Sequence, residues 1–133
     1  MEVIERENTQ VLVHDLFTNG ILYFDIGLDM RALPQDLLPM MSIFGRALME
    51  MGTQTEDYVK LSQRIGKSTG GIRTEMVSTA AIGAGAPVIK FFLRGKATAE
   101  KSSDLLEIIT DILLTVKFDD RERFKQIVLE AKA

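Results

Sequence analysis

An α+β fold, an antiparallel sheet with helices packed on one face, is predicted by three features of this chain. Segments of alternating apolar and polar residues mark half-buried strands, and stretches of 3.6-residue periodicity mark amphipathic helices. The two kinds of segment come in two rounds, giving the order ββααββαα, which segregates helices from strands as an α+β layer does.

The elements follow in chain order. Val11, Leu12 and Val13 form a short apolar run, and Thr18-Asn19-Gly20 is turn chemistry, so a hairpin is expected there. From Ile21 to Met30 the even positions Leu22, Phe24, Ile26, Leu28 and Met30 are apolar, while the odd ones include Tyr23, Asp25, Gly27 and Asp29, which describes a strand with one buried face. Pro34 suits a first helical turn, and Leu37, Met40, Met41, Phe44, Leu48 and Met51 recur at helical spacing up to Gly52, predicting a helix over 34–51. Pro39 predicts a bend in it, because a proline inside a helix removes a hydrogen bond and crowds the preceding turn. Thr55, followed by Glu56 and Asp57, reads as the capped start of a second helix with Tyr58, Leu61 and Ile65 on one face and Gly66 as its stop.

Lys67 to Gly71 reads as a loop. Ile72 to Ile82 and Val88 to Lys96 then read as strands joined by the reversal Gly83-Ala84-Gly85-Ala86-Pro87, and Ile89, Phe91 and Leu93 alternate with Lys90, Phe92 and Arg94. At Arg73 to Thr79 both alternate sets mix polar and apolar residues, so the inward set stays open. Leu105, Ile108, Ile109, Ile112, Leu113 and Val116 mark a third helix; Asp119 or Asp120 caps a fourth carrying Phe124, Ile127, Val128 and Ala131. No stop signal follows Leu129-Glu130-Ala131-Lys132-Ala133, so residues 1–133 are expected to be a single domain, or part of one, excised from a longer chain.

Composition narrows the function. The 133 residues are 46% hydrophobic and 26% charged, the balance of a globular chain. The absence of cysteine removes disulfides, thiolate metal sites and a cysteine nucleophile. A net charge of −3, from 16 basic and 19 acidic residues, leaves no positive excess for a phosphate backbone, which argues against nucleic acid as a partner. No uncharged apolar run reaches the ~18 residues of a membrane span, so no membrane is expected. Met1 to Gln10 carries no targeting pattern, which points to a cytoplasmic location.

Few constellations could carry chemistry. His14 is the single histidine, and the neighbouring Asp15, Phe17 and Thr18 match neither His-Glu-x-x-His nor His-x-x-Glu-His; it reads as a half-exposed strand residue beside a turn. Gly66-Lys67-Ser68 has Leu61 where a phosphate loop needs glycine, and reads as a helix stop. Asp25 and Asp29 share one strand face, and Asp119, Asp120 and Glu122 form an acid cluster, without a glycine-containing calcium loop beside either. Met40, Met41, Met49 and Met51 read as core filler.

Taken together, several segments in this order and spacing resemble one family. They are His14-Asp15-Leu16-Phe17-Thr18-Asn19-Gly20-Ile21-Leu22-Tyr23, Leu33-Pro34-Gln35-Asp36-Leu37-Leu38-Pro39, Glu50-Met51-Gly52-Thr53, Thr69-Gly70-Gly71-Ile72, Arg94-Gly95-Lys96-Ala97 and Arg121-Glu122-Arg123-Phe124-Lys125-Gln126. The resemblance is to the presequence protease branch of the pitrilysin/insulinase-type zinc metallopeptidases, and covers most of the chain. It implies a domain like that of mitochondrial processing peptidase, drawn from the carboxy-terminal half and called peptidase-associated, with zinc held in the catalytic domain of the parent and no cofactor in this chain. Family members fold as four related α+β domains that clamp around a chamber in which unstructured peptides are degraded.

The resemblance thus implies a non-catalytic chamber wall whose partners are the parent's other domains and the peptide substrate, in a bacterial cytoplasmic parent or an organellar one. No catalytic or metal residue carries over, and the isolated chain is expected to be inactive. The polar sheet face, with Tyr23, Asp25, Arg73, Glu75 and Lys90, is the expected peptide-facing surface. An alternative is an autonomous interaction module that self-associates as a homo-oligomer through exposed sheet or helix faces. A small hydrolase using Asp25 or Glu75 as base lacks both a nucleophile and an oxyanion donor.

Overall fold

A computed structural model describes residues 1–80 and 87–133. Its strands are β1 (Glu2–Arg6), β2 (Thr9–Val13), β3 (Ile21–Asp29), β4 (Ile72–Ala80) and β5 (Pro87–Thr98); its α-helices are α1 (Met41–Glu50), α2 (Tyr58–Ser68), α3 (Ser102–Thr115) and α4 (Arg121–Lys132). The architecture is α+β, with one more strand than expected and two sheets in place of one. The reversal expected at residues 83–87 falls on residues outside those described, apart from Pro87, which begins β5.

β5 is the central strand. It pairs antiparallel with β3 on one side and β4 on the other, in the order β3-β5-β4. Directly paired residues share a face, so the register decides which side chains meet the helices. Leu22, Phe24, Ile26 and Leu28 lie opposite Ala97, Gly95, Leu93 and Phe91, and Ile72, Thr74 and Met76 join them from β4. This settles the alternation at Arg73 to Thr79: the even positions face the helices.

The hairpin expected at Thr18-Asn19-Gly20 is not formed. Asn19 and Gly20 do turn the chain with φ of 56° and 79°, but β3 leaves them to pair with β5, while β2 pairs back onto β1. A tight turn specifies a local reversal and not the strand that receives it. β3 has one apolar face that only the helical layer can cover, whereas β2 is exposed along its whole length. The β1–β2 turn is made instead by Glu7 and Asn8, both at positive φ (48° and 64°), the conformation a two-residue hairpin loop requires.

The helix expected over 34–51 starts as a 3₁₀ segment, Gln35–Met40, and becomes α-helical only at Met41. Pro39 explains the change, since it has no N–H to donate one α-helical turn back. The second helix is capped by Asp57, whose Oδ1 accepts the Lys60 N–H at 2.9 Å, in place of Thr55. It runs past Gly66 to Ser68, so Gly66, Lys67 and Ser68 form its last turn, and Thr69-Gly70-Gly71 provides the exit. Thr69 Oγ1 donates to the Ile65 carbonyl and accepts the Gly71 N–H, which peels the chain off the helix into β4. Of the two candidate caps for α4, Asp120 serves, accepting the Arg123 N–H at 3.0 Å.

All four helices sit on the even face of the sheet. α3 packs Leu105 and Ile109 onto Leu93 and Ala97, and Ile108 and Ile112 join Phe91 with Met41 and Leu48 of α1 and Leu61 of α2. α4 closes the far side through Ile127 against Ala47 and Met51. Two glycines let helices approach the sheet: a Cβ on Gly45 would meet Thr74 Oγ1 at 2.7 Å, and one on Gly95 would meet Leu105 Cδ1 at 2.8 Å. Met41 and Met51 are core residues, as expected, while Met40 is exposed.

Candidate functional site: the open face of the sheet

The odd positions of β3 and β4 and the even positions of β5 face away from the helices, and none of the described elements covers them. Tyr23, Asp25, Arg73, Glu75 and Lys90, singled out by sequence, all fall on this face. Tyr23 lies opposite Lys96, Asp25 opposite Arg94, and Asp29 opposite Lys90; Arg73 also lies opposite Arg94, and Glu75 opposite Phe92.

At the centre is Arg94, which sequence reasoning does not single out. Its Nη1 lies 3.4 Å from Asp25 Oδ2 and its Nε 3.1 Å from Glu75 Oε2, while Glu75 also meets Arg73 Nη1 at 3.4 Å. The Arg94 Nε is buried and near Glu75 but not aligned with it, so it makes no hydrogen bond. The guanidinium lies 4.5 Å above the Phe92 ring, a cation–π arrangement. Phe92 in turn lies over Gly27, where a Cβ would approach ring carbon Cε1 to 2.7 Å. The available signal is the alternation of Phe92 and Arg94 on the polar register. An aromatic there has no core to fill.

Asp29 does not join this network. It pairs with Arg31, whose Nη2 is 2.7 Å from Oδ2, and it accepts the Arg31 backbone N–H at 3.0 Å. Those side-chain hydrogen bonds first, and the backbone bond second, hold its carboxyl below the ordinary value of 3.8. Asp120 caps α4, and Glu122 sits in that helix's first turn, where a negative charge favours the dipole. His14 lies exposed in the irregular segment after β2, and not within a strand. Among the described residues no three His, Cys, Asp or Glu side chains are grouped to hold a metal. One exposed histidine and scattered carboxylates therefore do not fit a zinc centre.

Residues of the shared segments turn out to hold the fold. Gly52 ends α1 at φ 80°, where a Cβ would lie 2.7 Å from the Glu56 carbonyl oxygen, and buried Thr53 bonds Glu56 through both its N–H and its hydroxyl. Arg123 donates from Nε to the Glu50 carbonyl at 2.8 Å and stacks 4.2 Å over Tyr58, tying α4 to the end of α1. Arg64 bridges Glu56 (2.7 Å) and Asp111 (2.8 Å), locking α2 to α3. Hydrogen bonds to Asp111 first hold its guanidinium pKa above the ordinary value, against the opposing effect of burial.

The fold and this open face define the class, a helix-backed α+β layer of the kind associated with peptidases. The chain belongs to the peptidase-associated family of the presequence protease type, subfamily C of the pitrilysin-type metallopeptidases, whose model matches residues 1–133. It is 39% identical over 132 residues to presequence protease 1, chloroplastic/mitochondrial, of Arabidopsis thaliana, covering 99% of this chain and 12% of that protein. It is 30% identical over 130 residues to protein HypA of Clostridium perfringens, covering 97% of this chain and 13% of the relative. With the mitochondrial presequence protease of Candida albicans it shares 32% identity over 104 residues, 77% of this chain and 10% of the other. These curated relatives are thus many times longer than the segment they share with it. The presequence protease resemblance of the sequence holds: this is a peptidase-associated domain of presequence protease type.

Proposed function

We propose that residues 1–133 form a single non-catalytic domain that walls the chamber of a zinc metalloendopeptidase degrading unstructured peptides, with its open sheet face turned to the peptide. The observation that carries this reading is the open face itself. Half of each strand is sealed by helices, while the other half presents Arg94 stacked on Phe92 among Asp25, Glu75 and Arg73. A flat surface mixing charge of both signs with an aromatic suits extended chains of varied sequence. Tyr23 and Lys90 extend it along β3 and β5.

Zinc would belong to the catalytic domain of the parent, and the parent's other domains would be this one's partners. The names of the Arabidopsis and Candida relatives support an organellar location over the bacterial cytoplasm expected from the amino terminus. The reading predicts that the purified chain neither binds stoichiometric zinc nor cleaves unstructured peptides. Peptide cleavage by the chain alone, abolished by a chelator, would overturn it.

A second reading, self-association, is favoured by the amino-terminal hairpin. Val3 and Leu12 lie opposite one another on one of its faces, Ile4 and Val11 on the other, and Phe17 beyond it is 93% exposed. A two-stranded hairpin apolar on both faces is marginal alone and gains from a covering surface. In the wall reading that cover is another domain of the parent. Sedimentation of the isolated chain as a monomer over a wide concentration range would remove self-association.

A further inference from the structure

We infer that the open face ends in a pocket for the carboxylate terminus of a bound peptide, built by Lys67, Lys96 and Lys101. This rests on the peptide-facing reading above. The pocket, of about 260 Å³, lies where the last turn of α2, the end of β5 and the start of α3 meet, and Ile21, Gly70 and Thr98 complete its wall with the lysines. It is smaller than the ~300–1,000 Å³ of sites that enclose whole ligands, and suits the end of a chain.

The three lysines come from distant parts of the sequence and are held there by specific contacts. The Gly70 N–H donates to the Lys96 carbonyl at 2.7 Å, and the Lys96 N–H to the Gly71 carbonyl at 3.3 Å, fixing β5 against the exit of α2. The Lys96 stem then lies along Gly70, where a Cβ would stand 3.0 Å from its Cγ. Lys101 Nζ donates one N–H to the Lys67 carbonyl at 2.9 Å, which leaves the ammonium further protons to offer. Among the described residues, no carboxylate lies within ion-pairing distance of any of the three. Closing the end of a helix accounts for Lys101 and, through the helix dipole, for Lys67. It does not account for Lys96, which is on a strand.

Three unpaired ammonium groups around one concavity repel each other until an anion enters, and hydrogen bonds to an ionised acceptor are the strong ones. Ile21, Ala97 and the lysine methylenes give the same pocket an apolar wall. A terminal peptide residue, apolar side chain and free carboxylate together, matches both features. Ile21, Lys96 and Thr98 also belong to the outward register that carries Tyr23 and Asp25, so a chain lying along the open face runs into the pocket.

The test is a backbone-amide NMR titration of the 133-residue chain with a short unstructured peptide ending in leucine, as the free acid and as its carboxamide. The acid should shift Thr69, Gly70 and Lys96 to Thr98 and bind about tenfold more tightly than the amide. Lys96→Gln, and separately Lys67→Gln, should erase that difference with circular dichroism unchanged. Equal affinity of acid and amide would overturn the pocket; if both still shift Tyr23 and Asp25, the peptide-facing reading stands. Shifts at the pocket with none at Tyr23 or Asp25 would keep the pocket and remove that reading. Inorganic phosphate moving the same amides as far as the acid at equal concentration would make this a general anion site and overturn its assignment to a peptide terminus.

Discussion

The two faces of β5 are made by one strand and have opposite uses. Phe91 and Leu93, each 1% exposed, are consumed by packing against α1 and α3, while their neighbours Phe92 and Arg94 stand on the open side and bond to little that the fold needs. The period of two in a strand allows this division, since each residue serves one face only. Stability is thus concentrated on one side of the sheet and chemistry is free to vary on the other. The motifs that mark the family lie mostly with the first: Gly52, Thr53 and Arg123 hold helix ends and turns.

The comparison can be broken most directly on the packed side. Leu93→Ala removes a buried side chain between β3, β4 and α3 and should cost about 3–4 kcal/mol in urea unfolding. A loss below about 1 kcal/mol would mean that the helices do not seal that face as described. Phe92→Ala, one residue away, sharpens the contrast. It should cost about 1 kcal/mol or less, because the ring covers only Gly27 and the Arg94 guanidinium, and a loss equal to that of Leu93→Ala would contradict an open face.

The smallest effect lies at the end of β3. A carboxyl whose folded pKa is lowered contributes stability above its unfolded pKa and loses it as the pH falls through the folded value, so the Asp29–Arg31 pair acts in acid, below 3.8. Arg31→Ala should raise the Asp29 midpoint back towards 3.8 in a carbon-detected NMR titration. An unmoved midpoint would show that Arg31 is not its partner.

Strand and helix periodicity make most of this fold legible in the sequence. The β3 alternation and the apolar stripe of α3 come through as read, because each is a local pattern imposed by one buried face. The first hairpin differs from expectation because Asn19-Gly20 encodes a turn without naming the partner strand. β1 escapes a sequence reading since its turn uses Glu7-Asn8, in which the first residue rarely takes positive φ. On the open face, alternation suffices to place Tyr23, Asp25, Arg73, Glu75 and Lys90. Arg94 as the hub, and the convergence of Lys67, Lys96 and Lys101, depend on strand register and on how α2 meets β5, which no local pattern carries.

The central claim is that the open face meets peptide while the chemistry lies elsewhere. The measurement that tests it is the kinetics and zinc content of the full-length parent peptidase carrying Asp25→Lys, which places a third cation beside Arg94 and Arg73. The account predicts a KM changed by about three- to tenfold, with kcat and bound zinc within about twofold of the wild type. Loss of zinc, or a fall in kcat at constant KM, would contradict it.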